Sequence, residues 1–106
     1  MDKILVEVRI VRPGPRASVF TPVGFVKDGE DLVFRSRLEP DASVSDQLKW
    51  MHGMLQWERK RWRKLQEEGI EMVCQIRARE RTVTIEPEAL LLMHQLHLQL
   101  EIAFNR

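Results

Sequence analysis

Residues Ser43 to Gly69 read SVSDQLKWMHGMLQWERKRWRKLQEEG, and the periodicity of this stretch decides the fold. Val44, Leu48, Met51, Leu55, Trp62 and Leu65 recur at alternating three- and four-residue steps, interrupted only at Glu58. That spacing predicts one long helix with a single buried stripe. Trp50, Met54 and Trp57 form a second row beside the stripe, widening the apolar face to roughly half the circumference. Ser43 followed by Asp46 resembles a capping box with a shorter acid. Gly69 is suited to end the helix in the left-handed conformation, and the basic residues before it complement the helix dipole.

On the N-terminal side, Ile4, Val6, Val8 and Ile10 alternate with Glu7 and Arg9, which predicts a half-buried strand over residues 2–11. Pro13-Gly14-Pro15 ends it. Val19 to Val26 reads as a second strand, weakened by Pro22 and Gly24, and Lys27 to Asp31 as a hairpin turn built on Asp28-Gly29. Leu32 to Leu38 reads as the third strand, and Glu39-Pro40-Asp41 closes this section. Beyond Gly69 the period returns to two. Ile70 to Ala78 is a fourth strand, Arg79-Glu80-Arg81 a turn, and Thr82 to Ile85 a short strand. Glu86-Pro87 opens a second helix, which ends between His94 and His97, and Leu98 to Phe104 alternates as a last strand. The expected order is β-β-β-α-β-β-α-β, an α+β fold. Two helices cover one face of an antiparallel sheet of five to six strands, with split βαβ, ferredoxin-like character.

A chain of 106 residues fits one domain, here expected to span 1–106, with one core. No apolar run approaches the roughly 18–20 residues of a membrane span. The alternating N-terminus reads as a strand and not as a signal peptide, so the mature chain is expected to start near Met1. Cys74 is the only cysteine and lies in an alternating apolar pattern, which suits a buried thiol in a reducing cytoplasm. Seventeen basic residues against sixteen acidic ones leave a net charge of +1, so bulk electrostatics select no partner and charge must be argued locally.

Residues from about 38 to 104 resemble the C-terminal part of family 4279 of the domains of unknown function, bacterial proteins of this size. The resemblance rests on the entry Leu38-Glu39-Pro40 then Val44-Ser45-Asp46-Gln47-Leu48, the helix exit from Leu65 to Gly69, and the alternating strand after it. It also rests on Ile85-Glu86-Pro87-Glu88-Ala89-Leu90 leading to Leu96-His97-Leu98-Gln99-Leu100. That family usually has an early helix after its first strand, where this chain has Pro13-Gly14-Pro15 and a hairpin. Proteins similar to the family occur in bacterial toxin and immunity gene neighbourhoods. The resemblance therefore implies a protein that binds and neutralises a cognate toxin.

The residues themselves point to binding more than to chemistry. There is no GxSxG, P-loop or dinucleotide-binding glycine pattern, Cys74 has no histidine at a recognisable spacing, and the carboxylates are scattered. No catalytic residue and no cofactor is expected. His94, His97, His52 and Cys74 lack metal-site spacing, so no metal ligand is nominated. Trp50, Met54 and Trp57 are the leading partner-binding residues, because tryptophan and methionine are enriched at interface centres; the alternative is that the sheet or N-terminal loop covers them. Arg61 borders them, and Asp28, Glu30 and Asp31 at the hairpin tip could meet a basic partner. A nucleic-acid alternative uses Arg35, Arg37, Arg59, Lys60, Arg63 and Lys64, although cations on successive helical residues point all around the axis. Homodimerisation through the tryptophan row is also open.

Overall fold

The computed structural model describes residues 4–38, 42–79 and 82–104. The first strand, β1 (Ile4–Ile10), buries Ile4, Val6, Val8 and Ile10 as its alternation predicts. It is the central strand of five. On one side it pairs antiparallel with β3 (Asp31–Arg35), which pairs antiparallel with the edge strand β2 (Val26–Asp28). On the other side it pairs antiparallel with β4 (Met72–Ala78), and β4 pairs parallel with β5 (Gln99–Phe104). The sheet order is β2-β3-β1-β4-β5. The Asp28-Gly29 turn is as expected: Asp28 faces Asp31 across a two-residue loop, and Gly29 takes φ 64°.

Helices α1 (Val44–Leu55), α2 (Arg59–Glu67) and α3 (Pro87–Gln95) share one apolar cluster with the same face of the sheet. Val44, Leu48, Met51, Leu55, Trp62 and Leu65, the stripe read from the sequence, are all buried in it. The Ser43 hydroxyl accepts from the Asp46 N–H at 3.0 Å and caps α1. Gln47, fully buried, donates to the carbonyls of Ile4 and Ala42 at 3.0 Å each and ties α1 to β1.

The structure departs from several expectations. The long helix is not continuous: a 3-10 turn at Gln56–Glu58 separates α1 from α2, with Glu58 at φ −112°, ψ 27°. A continuous helix would aim Glu58 along the buried stripe; the turn lets its carboxylate reach Arg61 Nη1 at 3.2 Å and returns Trp62 and Leu65 to the core. The second strand does not run from Val19 to Val26 but begins only at Val26. Pro15–Val23 forms a 3-10 helix instead, consistent with two prolines that cannot donate to a ladder. It delivers Phe20 edge-on to Phe25 and Trp62, at 5.7 and 5.8 Å between ring centres. Gly24 follows at φ 129°, where a Cβ would lie 3.1 Å from the Phe34 ring.

Thr82 to Ile85 forms no strand either. The edge beside β4 is taken by β5, and residues 82–85 run to α3 with Val83 and Ile85 partly buried against the core. The element order is therefore β-β-β-α-α-β-α-β, and the sheet is mixed, not antiparallel. With β4-α3-β5 a parallel crossover, the ferredoxin-like arrangement is replaced. The expected third strand is shorter, ending at Arg35, and Leu32, Val33 and Phe34 in succession are all buried. Glu39-Pro40-Asp41, Glu80-Arg81 and the first residues of the expected β1 lie outside the described residues.

α2 and α3 end alike. The Gly69 and Ile70 N–H groups bond back to Gln66 and Leu65, and those of His97 and Leu98 to His94 and Met93, each a Schellman motif. Gly69 takes the left-handed position of the first at φ 88°; a histidine, His97, takes it in the second at φ 51°. Trp62 Nε1 and Gln66 Nε2 then donate to the Leu96 carbonyl at 3.0 and 2.8 Å, so α2 seals the end of α3.

Candidate functional site

The Trp50, Met54, Trp57 row is split by the break after Leu55. Trp50 is half-buried, its ring 5.6 Å from that of Phe34. Met54 is 39% exposed and Trp57 82% exposed. Trp57 sits in the 3-10 turn itself, where the chain is no longer turned toward the core. Arg61, one turn on, borders it through its ion pair with Glu58. An indole displayed to this degree is costly to leave in water, and Trp62, by contrast, is buried with its N–H satisfied.

The acids of the hairpin are engaged within the molecule. Arg9 reaches Asp28 Oδ2 at 2.8 Å and Asp31 Oδ2 at 2.9 Å, while the Arg12 N–H donates to Asp31 Oδ1 at 2.9 Å. Glu30 lies 3.6 Å from Arg12 Nε, both well exposed. The Arg12 N–H, then the Arg9 guanidinium, hold the Asp31 carboxyl below its ordinary range, and the bond to Asp28 raises Arg9. These acids brace the hairpin against β1. Of the three, Glu30 is the most weakly held.

The sheet face opposite the helices carries a charged cluster that alternation alone did not foretell. Glu7 is only 4% exposed, and three arginines surround its carboxylate: Arg35 Nε at 3.2 Å, Arg77 Nη2 at 3.3 Å and Arg9 Nη2 at 3.8 Å. Arg77 donates onward to Gln75 Oε1, and Gln75 Nε2 to Glu101 on β5. Arg35 is thus a structural ion-pair partner as well as an exposed cation. Arg37, Arg59, Lys60, Arg63 and Lys64 are exposed. Of these, Arg59 and Arg63 are brought together with His52, His94 and His97 along a groove of about 440 Å³, floored by Trp62 and Gln66. Lys64 lies apart, beside Val19 and Phe20.

The rings of His94 and His97 are 5.9 Å apart, but Cys74 is in the core, where burial pushes its thiol up to about 12. Among the described residues no three His, Cys, Asp or Glu side chains converge as a metal site would require. No described helix is long and apolar enough to cross a membrane.

One further apolar surface lies on β5. β5 is an edge strand with Leu100, Ile102 and Phe104 on the helix side of the sheet at 42%, 39% and 49% exposure. Its alternation was legible, but alternation promises a buried side, and here that side stays substantially exposed. No protein-family model matches this chain, and neither a curated protein nor a solved structure matches it.

Proposed function

We propose that this chain is a non-catalytic protein-interaction domain, most concretely an immunity protein that binds and neutralises a cognate toxin. The observation that supports the reading is Trp57, 82% exposed on a helix break with Met54 nearby on the same row. An exposed aromatic side chain with polar neighbours in sequence, here Gln56 and Glu58, and Arg61 one turn on, has the residue make-up of an interface hot spot. The concrete toxin-binding form rests on the pattern resemblance of residues 38–104. Because Asp28 and Asp31 are held by Arg9, the docking surface is assigned to the Trp57 side, with Glu30 at most a peripheral contact.

The test is capture of the neighbouring gene product by the tagged protein, with affinity compared for Trp57→Ala. The substitution is expected to weaken binding by about 2 kcal/mol, roughly 30-fold, with the circular dichroism spectrum and unfolding midpoint unchanged. Equal affinity in the variant would remove Trp57 from the interface.

A second reading, nucleic-acid binding, is favoured by the groove that gathers Arg59, Arg63 and all three histidines without a carboxylate in its lining. Retention on heparin that disappears with salt, and that Arg59→Ala with Arg63→Ala abolishes, would move the assignment there.

A further inference from the structure

The two edges of the sheet are built differently. β2 is three residues long and carries Lys27 and Asp28, the short and charged form that discourages pairing with another chain. β5 is six residues, Gln99-Leu100-Glu101-Ile102-Ala103-Phe104, with no lysine, arginine, proline or glycine to blunt it. One side of its backbone is hydrogen-bonded to β4, and among the described residues no strand pairs with the other. Its helix-side face presents Leu100, Ile102 and Phe104, each at least 39% exposed.

We propose that β5 pairs antiparallel with β5 of a second copy of this chain, joining two five-stranded sheets into one across a two-fold axis. The choice of a second copy follows from the strand's self-complementarity, which a two-fold interface demands. With Ile102 on the axis, Ile102 faces its equivalent and Leu100 faces Phe104, so every described pair on the helix side is apolar. On the opposite side Glu101 then faces Ala103, and its carboxylate keeps its bond from Gln75 at 2.9 Å. A register centred on Glu101 would instead set two carboxylates against each other, which disfavours it. The only charge on β5 thus disfavours the register centred on itself and is compatible with the one centred on Ile102. The surface is separate from the Trp57 turn, so the pairing stands or falls independently of toxin binding.

The experiment is the solution mass of the full chain by light scattering through the micromolar range. The expected result is about twice the 12.5 kDa of one chain, halved by Ile102→Lys, which puts two ammonium groups at the axis. Ile102→Cys is the companion variant, in case the lysine unfolds the edge. A short bis-maleimide should convert it to a covalent dimer, whereas the native chain, with only the buried Cys74, should not cross-link. A wild-type mass of one chain overturns the proposal, and would leave the edge to a strand of a different protein. So does a dimer that survives Ile102→Lys with its fold intact, or an Ile102→Cys dimer that fails to cross-link.

Discussion

Arg9 and Asp31 show how much one side chain depends on chain far from it. Arg9 stands on β1 and Asp31 opens β3, and their 2.9 Å bond spans 22 positions in sequence. The Asp31 pKa is lowered in the folded state, first by the Arg12 N–H and then by Arg9. A carboxylate with a depressed folded pKa contributes stability that is fully present above its unfolded value, about 4, and lost as pH falls through the folded one. The urea midpoint is therefore expected to drop on acidification below about pH 4, and Asp31→Asn to flatten that drop while costing about 1–2 kcal/mol near neutrality. Denaturation curves at several pH values would check this; parallel curves for the two proteins would refute it. The polar face of β1 was legible from Glu7 and Arg9. The near-complete burial of Glu7 was not, because it is made by Arg35, 28 positions away, and by Arg77 on another strand.

Among the elements, the helix ends were the most readable. Ser43 and Gly69 do what their chemistry allows, a hydroxyl capping free N–H groups and a residue without Cβ taking φ 88°. His97 takes the same left-handed position with a side chain, at φ 51°. His97→Gly is accordingly expected to stabilise the protein by about 0.5–1 kcal/mol, read as a rise in the thermal midpoint. A fall instead would mean that the imidazole contributes more in the groove than its backbone costs. The helix break was hidden by the stripe itself. Leu55 and Trp62 are seven residues apart, a spacing that one helix or two consecutive ones satisfy, and only Glu58 on the buried line marked the interruption. The mistaken strands, most of Val19 to Val26 and all of Thr82 to Ile85, are short segments whose apolar residues a 3-10 helix or a half-buried connection accommodates equally well.

For the whole molecule, Cys74 reports on the integrity of the core. It lies on β4 between β1 and β5 and is completely buried, its thiol raised to about 12 by loss of water. Since the thiolate is the reactive form, labelling by a thiol reagent at neutral pH should be negligible in the folded protein and become fast only on unfolding. Its denaturant dependence should follow that of the circular dichroism signal; rapid labelling of the native protein would show that the β4 region opens locally. Through local periodicity the sequence by itself determined the α+β class, the first strand, the Asp28-Gly29 hairpin, the helical stripe and the cap at Ser43. Each follows from side chains within one or two turns or strand repeats of each other. Tertiary structure alone decided that β5 lies parallel to β4, that Arg9 engages Asp28 and Asp31, that Trp50 is tucked in while Trp57 is displayed, and that among the described residues no strand pairs with the outer side of β5. Those outcomes depend on which long-range pairing wins the space beside β4 and over the sheet, a competition that no local pattern encodes.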